Sequence, residues 1–360
     1  MLAQGLREPS LHGDSHNFGN RVCLINKSGI DWYFKPRTLF WEQLFFGDNS
    51  TFKNISDGSR FFGEVFPFFK LSFHSETNLE NGWSRPVNEV DAQAGLPGEM
   101  AFQFGSLLAY CFTFGIMDLH EGNVVLTPEG LQIIDVEVVG SKMSLPHETL
   151  LLPFKDVTEE FCAFVKLWDL RQNMPIEKSF KILEGYIYGC EFLLNINHEI
   201  ISRFNQIIKL NPFVPVRVIL RDTEKYRKLK YEEFDPPLIP EEKIQLDRGD
   251  IPYFFKYFND NNLYYLTSKD REKGIVSITS SLKSRSDQVA QPPEILLSKK
   301  RLENDIFAAG AMYLIRRLFG KEEILSKEVG NYLIAADLDT ISIKTPTTKF
   351  KCTRVRAPNL

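Results

Sequence analysis

Cysteine is sparse in this chain, with 5 in 360 residues, and none stands in a Cys-x-x-Cys pair or a Cys/His cluster. That excludes a structural zinc module and a disulfide framework, and it fits a reducing compartment. Neither sign of charge is in large excess. The 43 Lys plus Arg against 47 Asp plus Glu leave a formal charge of −4, so the basic excess of a nucleic-acid-binding protein is missing. The first ten residues have no charged segment followed by an apolar one, which argues against a secretion signal. The nearest approach to a membrane span, Ala101 to Met117, is charge-free but short. It carries Gln103 and two glycines and runs straight into Asp118, so it reads as a buried helix. These absences predict a cytoplasmic protein with no nucleic-acid partner and no membrane span.

What is present is an ordinary globular composition, 43% apolar and 25% charged, with 30 phenylalanines that predict a large aromatic core. The length allows two packed lobes or two domains. The most informative stretch runs from Ile116 to Val139. Two β-branched runs joined by Pro128-Glu-Gly130 read as a hairpin, with the second strand carrying through to Val139. Asp118, His120 and Asn123 lie just before the first strand, and Asp135 and Glu137 close the second. Two apart on a strand, Asp135 and Glu137 share a face, and two carboxylates in an apolar run need a cation. A hard divalent metal is the natural candidate, with Asn123 as a neutral oxygen ligand. An Asp before an Asn, then a strand ending in Asp, is also how kinases place a base and two metal ligands. The blander reading of these residues is a polar hairpin end with both carboxylates solvated.

Upstream, Leu11 to Val22 is a polar, glycine-containing cluster. A strand at Val22–Ile25, a Lys27-Ser-Gly-Ile30 turn and Asp31 to Arg37 follow, with Lys35 near the end of the second strand. Lys35 fits either a phosphate clamp or a surface lysine on an edge strand. Thr38 to Phe46 reads as an amphipathic helix, Phe61 to Phe73 as a strand, and His74 to Gly98 as a long loop. Trp83 in that loop reads as packing rather than as a stacking platform. Pro146 to Phe154 reads as a loop, and 156–210 as helical, with Phe161, Phe164, Val165 and Leu167 and then Ile182, Leu183, Tyr186 and Ile187 inward. In Val216–Leu220 the arginines Arg217 and Arg221 would share a strand face beside a helix capped by Asp222 or Thr223. That arrangement suits either a phosphate or ordinary salt bridges. Lys228 to Asp250 reads as a charged surface connector and Ile251–Phe255 as a return to the core. Ser280 to Lys300 reads as a mobile loop, Arg301–Phe319 as an amphipathic helix ending at Gly320, and the residues from Thr345 as a frayed basic tail.

Several of these segments, in order, resemble the dehydratase domain of class II lanthipeptide synthetases (the LanM type). Gly13-Asp-Ser-His-Asn-Phe-Gly19 looks like that family's GDxHNxG turn, and Tyr33-Phe-Lys-Pro-Arg-Thr-Leu39 like its YKPRxL strand, with Phe34 before the lysine. Asp118-Leu-His-Glu-Gly-Asn123 with Ile134-Asp-Val-Glu137 resembles its DLHxEN and IDxE pair, with Gly122 in place of Glu. Arg217-x3-Arg221-x-Thr223-x2-Tyr226 is similar to its RxxxRxTxxY segment, and Asp250-Ile-Pro-Tyr-Phe254 to a later motif. The resemblance spans about residues 11 to 320.

It implies an α+β, two-lobed, lipid-kinase-like core. A small β-rich lobe would occupy 1–100 and a larger helical lobe 101–345, with a basic tail at 346–360. It implies ATP and Mg²⁺ as cofactors and a Ser/Thr-containing precursor peptide as substrate, phosphorylated and then freed of phosphate to leave dehydroalanine or dehydrobutyrine. By that carry-over Asp14, His16, Lys35 and Arg37 would serve the nucleotide phosphates, and Asn123, Asp135 and Glu137 the metal. Asp118 and His120 would serve the substrate hydroxyl, and Arg217 and Thr223 the elimination. No cyclase zinc site is present, so ring closure would fall to a separate protein. The family's helical portion before the GDxH turn would come from a companion chain.

Overall fold

The computed structural model describes residues 10–67, 79–90, 98–128, 130–153, 162–164, 176–229, 238–277, 280–319, 325–329, 332–336, 340–344 and 349–353. The fold is mixed α+β. Strands β1 (Ser10–His16), β2 (Asn20–Lys27), β3 (Ile30–Lys35) and β4 (Gly82–Ser84) form an antiparallel sheet in that order. The β2–β3 turn is the expected one: Ser28 and Gly29 both have positive φ, which sets Lys27 opposite Ile30. The hairpin of β5 (Val124–Thr127) and β6 (Gly130–Ile133) pairs Val124 with Ile133. A second four-stranded sheet runs β10 (Lys273–Ile275), β9 (Tyr264–Leu266), β8 (Phe254–Lys256), β7 (Val216–Val218).

The helices are α1 (Phe40–Phe46), α2 (Phe62–Val65), α3 (Gly98–Phe114), α4 (Ile176–Asn195), α5 (Asn197–Leu210), α6 (Thr223–Leu229), α7 (Pro240–Asp247), α8 (Ser280–Asp287) and α9 (Pro293–Leu296). A helical stretch then runs from Lys299 to Phe319, π-helical between Leu302 and Ala309. No helix of the described residues is long and apolar enough to cross a membrane.

The core is aromatic, as the composition predicts. Phe45, Phe52, Phe62, Phe114 and Phe204 are fully buried and meet at ring-centroid distances of 5.2 to 6.1 Å. The same buried cluster runs on to Ile334 and includes nothing from β1–β4. A boundary at residue 100 therefore cuts through it, because α1 and α2 pack with α3 rather than with the small sheet. α3 and α4 touch backbone to backbone. A Cβ on Gly105 would overlap the Ile182 carbonyl oxygen, and one on Gly185 the Phe102 carbonyl oxygen. α3 stops where Gly115 turns left-handed (φ 67°), and the Ile116 amide donates to the Cys111 carbonyl at 2.9 Å. This stop releases the chain into Met117 and Asp118, as expected of a buried helix feeding that loop.

Several expectations are corrected. Phe61 to Phe73 is no strand where it is described: Phe62–Val65 is a helical turn, and 68–73 lie outside the described residues. The loop expected over His74 to Gly98 contains β4, where Trp83 pairs with Phe34 and packs on its ring at 4.9 Å. The second central strand ends at Ile133 rather than Val139. Phe161, Val165 and Leu167 lie outside the described residues, whereas Ile182, Leu183, Tyr186 and Ile187 are buried on α4. Where it is described, the expected surface connector Lys228 to Asp250 is not one, because Glu241, Glu242, Gln245 and Asp250 are buried on or beside α7; 230–237 lie outside the described residues. Ser280 to Lys300 is helical at α8 and α9 rather than a mobile loop. Within the expected frayed tail, Lys349–Thr353 is a strand in an antiparallel sheet with Leu325–Val329, Tyr332–Ala336 and Thr340–Lys344, while 345–348 and 354–360 lie outside the described residues.

Adding one methyl at the α3–α4 crossing, Gly105→Ala, is expected to force the helices apart and cost about 1–3 kcal/mol. A urea-unfolding midpoint equal to that of the unmodified protein would contradict this packing.

Candidate functional site

The site forms where the end of β3, α1, the segment after β6 and β7 converge. Lys35 is buried at the end of β3, where its Nζ donates to the Ile134 carbonyl at 2.6 Å. The same Nζ lies 3.9 Å from Glu42 and 3.8 Å from Asp135. Glu42, on α1 among aromatic neighbours, is sealed from solvent. Its Oε1 accepts from the Val136 amide at 3.3 Å, and its Oε2 has no hydrogen-bond partner. Burial raises the Glu42 carboxyl against the attraction of Arg37 and Lys35. The sequence reading missed this residue, though an acidic side chain inside Phe40-Trp-Glu-Gln-Leu-Phe-Phe46 was its visible signal.

Asp135 and Glu137 do point to one side, and their cation is Arg37. Arg37 Nη1 donates to the Thr38 carbonyl at 2.8 Å, and Nη2 to Glu42 Oε1 at 2.5 Å and to Asp135 Oδ1; Nε lies 3.3 Å from Glu137 Oε1. Burial raises the Asp135 carboxyl, but Arg37 and Lys35 outweigh it and hold the group down to about 2. Glu137 is likewise lowered, with Arg37 and Arg217 overcoming burial. Arg37 was expected on the nucleotide phosphates; its guanidinium is engaged by these three carboxylates instead.

Asp118 has a left-handed backbone (φ 66°), unusual for a residue with a side chain and characteristic of functional loops. Burial pushes its carboxyl up to about 6, against the attraction of Arg217 and His120 and with the repulsion of Asp135 and Glu137. The loop is tied down at both ends. The Leu119 amide donates to Thr149 O, the Asn123 amide to His120 O, and Asn123 Nδ2 to Asp118 O at 2.8 Å. His120 Nδ1 accepts from the Gly122 amide at 3.0 Å. A Cβ on Gly122 would sit 3.0 Å from the His120 ring, so the glycine lets the imidazole fold over this turn.

Arg217 reaches the cluster from β7. Its amide donates to the Glu137 carbonyl at 2.9 Å, its Nη1 lies 3.4 Å from Glu137 Oε1, and its guanidinium carbon sits 5.2 Å from the centre of the Tyr253 ring. Tyr253 OH donates to Glu137 Oε2 at 2.8 Å. Arg221 does not share this face: Arg221 Nε and Tyr226 OH both donate to buried Glu242 Oε1, at 2.7 and 2.6 Å. Of the two readings of that arginine pair, the salt bridge holds for Arg221. Asp222, not Thr223, caps α6 by accepting the Glu224 amide. Thr223 opens the helix, six residues from Arg217.

The glycine-rich turn and the Asp250–Tyr253 segment form one unit across 235 residues of sequence. Asp250 accepts Ser15 Oγ at 2.7 Å and the amides of Phe18 and Gly19 at 2.6 and 3.0 Å. Asn17, Phe18 and Gly19 all have positive φ, so this carboxylate satisfies the amides of a tight left-handed turn. His16 Nδ1 lies 2.8 Å from the Ile251 carbonyl, and its ring stands edge-on to Tyr253. Burial and Arg217 lower the His16 imidazole, keeping it neutral. Asp14 lies apart from that contact, in an ion pair with Arg227 at 2.9 Å.

Among the described residues no three His, Cys, Asp or Glu side chains form a metal cluster. The donor set fits a magnesium ion all the same. Asn123 has spent its Nδ2 on Asp118, which leaves Oδ1 as the ligand-capable end, and Asp135 is about a third exposed with Oδ2 clear of Arg37. Two protein oxygens plus waters and substrate phosphates is the usual Mg²⁺ arrangement. Glu137 does not fit as a third ligand, since both its oxygens are engaged.

Asp250→Ala should speed hydrogen exchange at the Phe18 and Gly19 amides by at least tenfold, since removing the acceptor leaves both unpaired. Unchanged protection would mean the turn is held by something else. No protein-family model matches the chain, and no curated protein matches it either.

Proposed function

We propose that this chain is a kinase-type phosphoryl transferase that goes on to eliminate the phosphate it installs. It would phosphorylate Ser and Thr of a ribosomally made precursor peptide with ATP, leaving dehydroalanine or dehydrobutyrine. The observation that carries the reading is Lys35 Nζ held between Glu42 and Asp135, the lysine–glutamate–aspartate arrangement on which kinase-type phosphoryl transfer depends. The ordered LanM-like motifs support it, because the structure brings most of them to one place. With the reading goes a two-lobed architecture, β1–β4 as the small lobe over a larger helical one, acting in the cytoplasm.

Each residue then has a physical task. Lys35, steadied by Glu42, offers its ammonium to the nucleotide phosphates. Asn123 and Asp135 would hold Mg²⁺, and a bound ion there would supply positive charge beside the transferred phosphoryl group. Asp118, already raised toward neutrality, accepts the proton of the substrate hydroxyl. In the second half-reaction the Cα proton passes to solvent water, the C–H electron pair forms the Cα=Cβ bond, and the phosphate leaves with the electron pair of the broken Cβ–O bond. Among the described residues the Arg217 guanidinium makes one side-chain hydrogen bond, at 3.4 Å to Glu137, and lies over the Tyr253 ring, so its remaining N–H groups can receive the departing phosphate. The alternative is a kinase that retains the phosphate, with Arg217 kept by Glu137.

Intact mass of Ser/Thr-rich peptides after incubation with the protein, ATP and Mg²⁺ separates these readings. Loss of one water per modified residue is the expected result. A persistent gain of phosphate would establish the kinase alone, and no change with no nucleotide binding would overturn both. Asp118→Asn should lower the phosphorylation rate by about 10²–10⁴. Arg217→Ala should leave phosphorylation intact and accumulate phosphopeptide.

The raised Asp118 carboxyl gives a pH signature. The base must be ionised, so kcat/KM should climb through about pH 6 and level off above it. The effect on stability has the opposite sign. Between the ordinary value of 3.8 and about 6 the folded state keeps a proton that the unfolded chain has released, so this group's contribution falls as pH rises across that window. A rate flat from pH 5 to 8 would remove Asp118 from the base role.

A further inference from the structure

Kinases commonly use two divalent ions, held by the metal-binding Asp and Asn. A second ion needs further carboxylate oxygens, and here those oxygens face a guanidinium. Arg37 bridges Glu42, Asp135 Oδ1 and Glu137 Oε1 and is itself anchored to the Thr38 carbonyl. Glu137 has no oxygen to spare, because Oε1 is shared by Arg37 and Arg217 and Oε2 accepts from Tyr253. Glu42 has an unpartnered oxygen but is sealed from solvent, out of reach of an ion arriving with a nucleotide. Asp135 Oδ2 and Asn123 Oδ1 remain, enough for one ion completed by phosphates and waters.

We infer that Arg37 is a resident cation standing in the place of a second divalent ion, so that the chain binds one Mg²⁺ per nucleotide. The inference rests on the kinase-type reading of this site. It also explains why an arginine, and not a second lysine, follows Lys35. A planar guanidinium can bridge three carboxylates at fixed angles and cannot be neutralised, whereas an ammonium is a point charge.

The test is to count Mn²⁺ bound to the full chain with a saturating non-hydrolysable ATP analogue, by equilibrium dialysis and electron paramagnetic resonance. One Mn²⁺ per chain, with no spin-coupled pair at high Mn²⁺, is the expected result. Two ions would overturn the inference while leaving the kinase reading standing. No nucleotide-dependent Mn²⁺ would overturn both. Arg37→Gln shortens the side chain and removes the charge and is expected to admit a second Mn²⁺, whereas Arg37→Lys should keep the count at one. An Arg37→Gln protein that folds and still binds one ion would also overturn the role. If Arg37→Gln does not fold, the count on the unmodified protein decides alone.

Discussion

Everything at this site depends on how buried carboxylates are neutralised. Glu42 is sealed inside the molecule with Asp135 and Glu137 partly buried beside it, and three carboxylates so close together need cations between them. Arg37 meets all three, Lys35 two of them and Arg217 one. Removing one partner of such a buried network characteristically costs about 3–5 kcal/mol, because a charge is left without compensation. The cluster is therefore structural as well as chemical. It ties β3 to α1, to the segment after the central hairpin, and to β7, four elements drawn from distant parts of the chain.

A second constraint is backbone geometry. The left-handed stop at Gly115 ends α3 and turns the chain into the Asp118 loop, whose own left-handed residue is held by Asn123. The left-handed turn at Asn17–Gly19 would leave amides unpaired if Asp250 did not accept them. One short segment, Asp250 to Tyr253, thus carries the turn by its carboxylate, His16 by a carbonyl, and Glu137 with Arg217 by a phenol and its ring. Movement of the turn would be felt at Arg217 through this segment.

The motifs were legible because they are local. The hairpin at Val124–Ile133, the β2–β3 turn and the buried helix at Gly98–Phe114 all follow from periodicity and turn chemistry within a few residues. The failures come from charge and from small residues. Lys228 to Asp250 has the composition of a solvated connector, yet Glu242 is buried because Arg221 and Tyr226 arrive to pair with it. Ser280 to Lys300 carries Ser, Pro and Lys that read as loop, yet it folds as short helices, with Leu282, Leu296 and Leu297 buried. Local composition reports what a segment would do in water, and these segments are not left in water.

The sequence by itself determined which residue types stand near one another along the chain: Asp118 before Asn123, Asp135 two before Glu137, Lys35 two before Arg37. It also determined an aromatic core, because 30 phenylalanines have to be buried somewhere. Only the tertiary structure decided that the cation for Asp135 and Glu137 is Arg37, that Glu42 belongs to the site, and that Arg217 joins it while Arg221 turns away. The reason is range. Periodicity and turns act over a few residues, whereas the pairing of buried charges is settled by whichever partners the fold brings within about 4 Å, here from positions 80 to 100 residues apart.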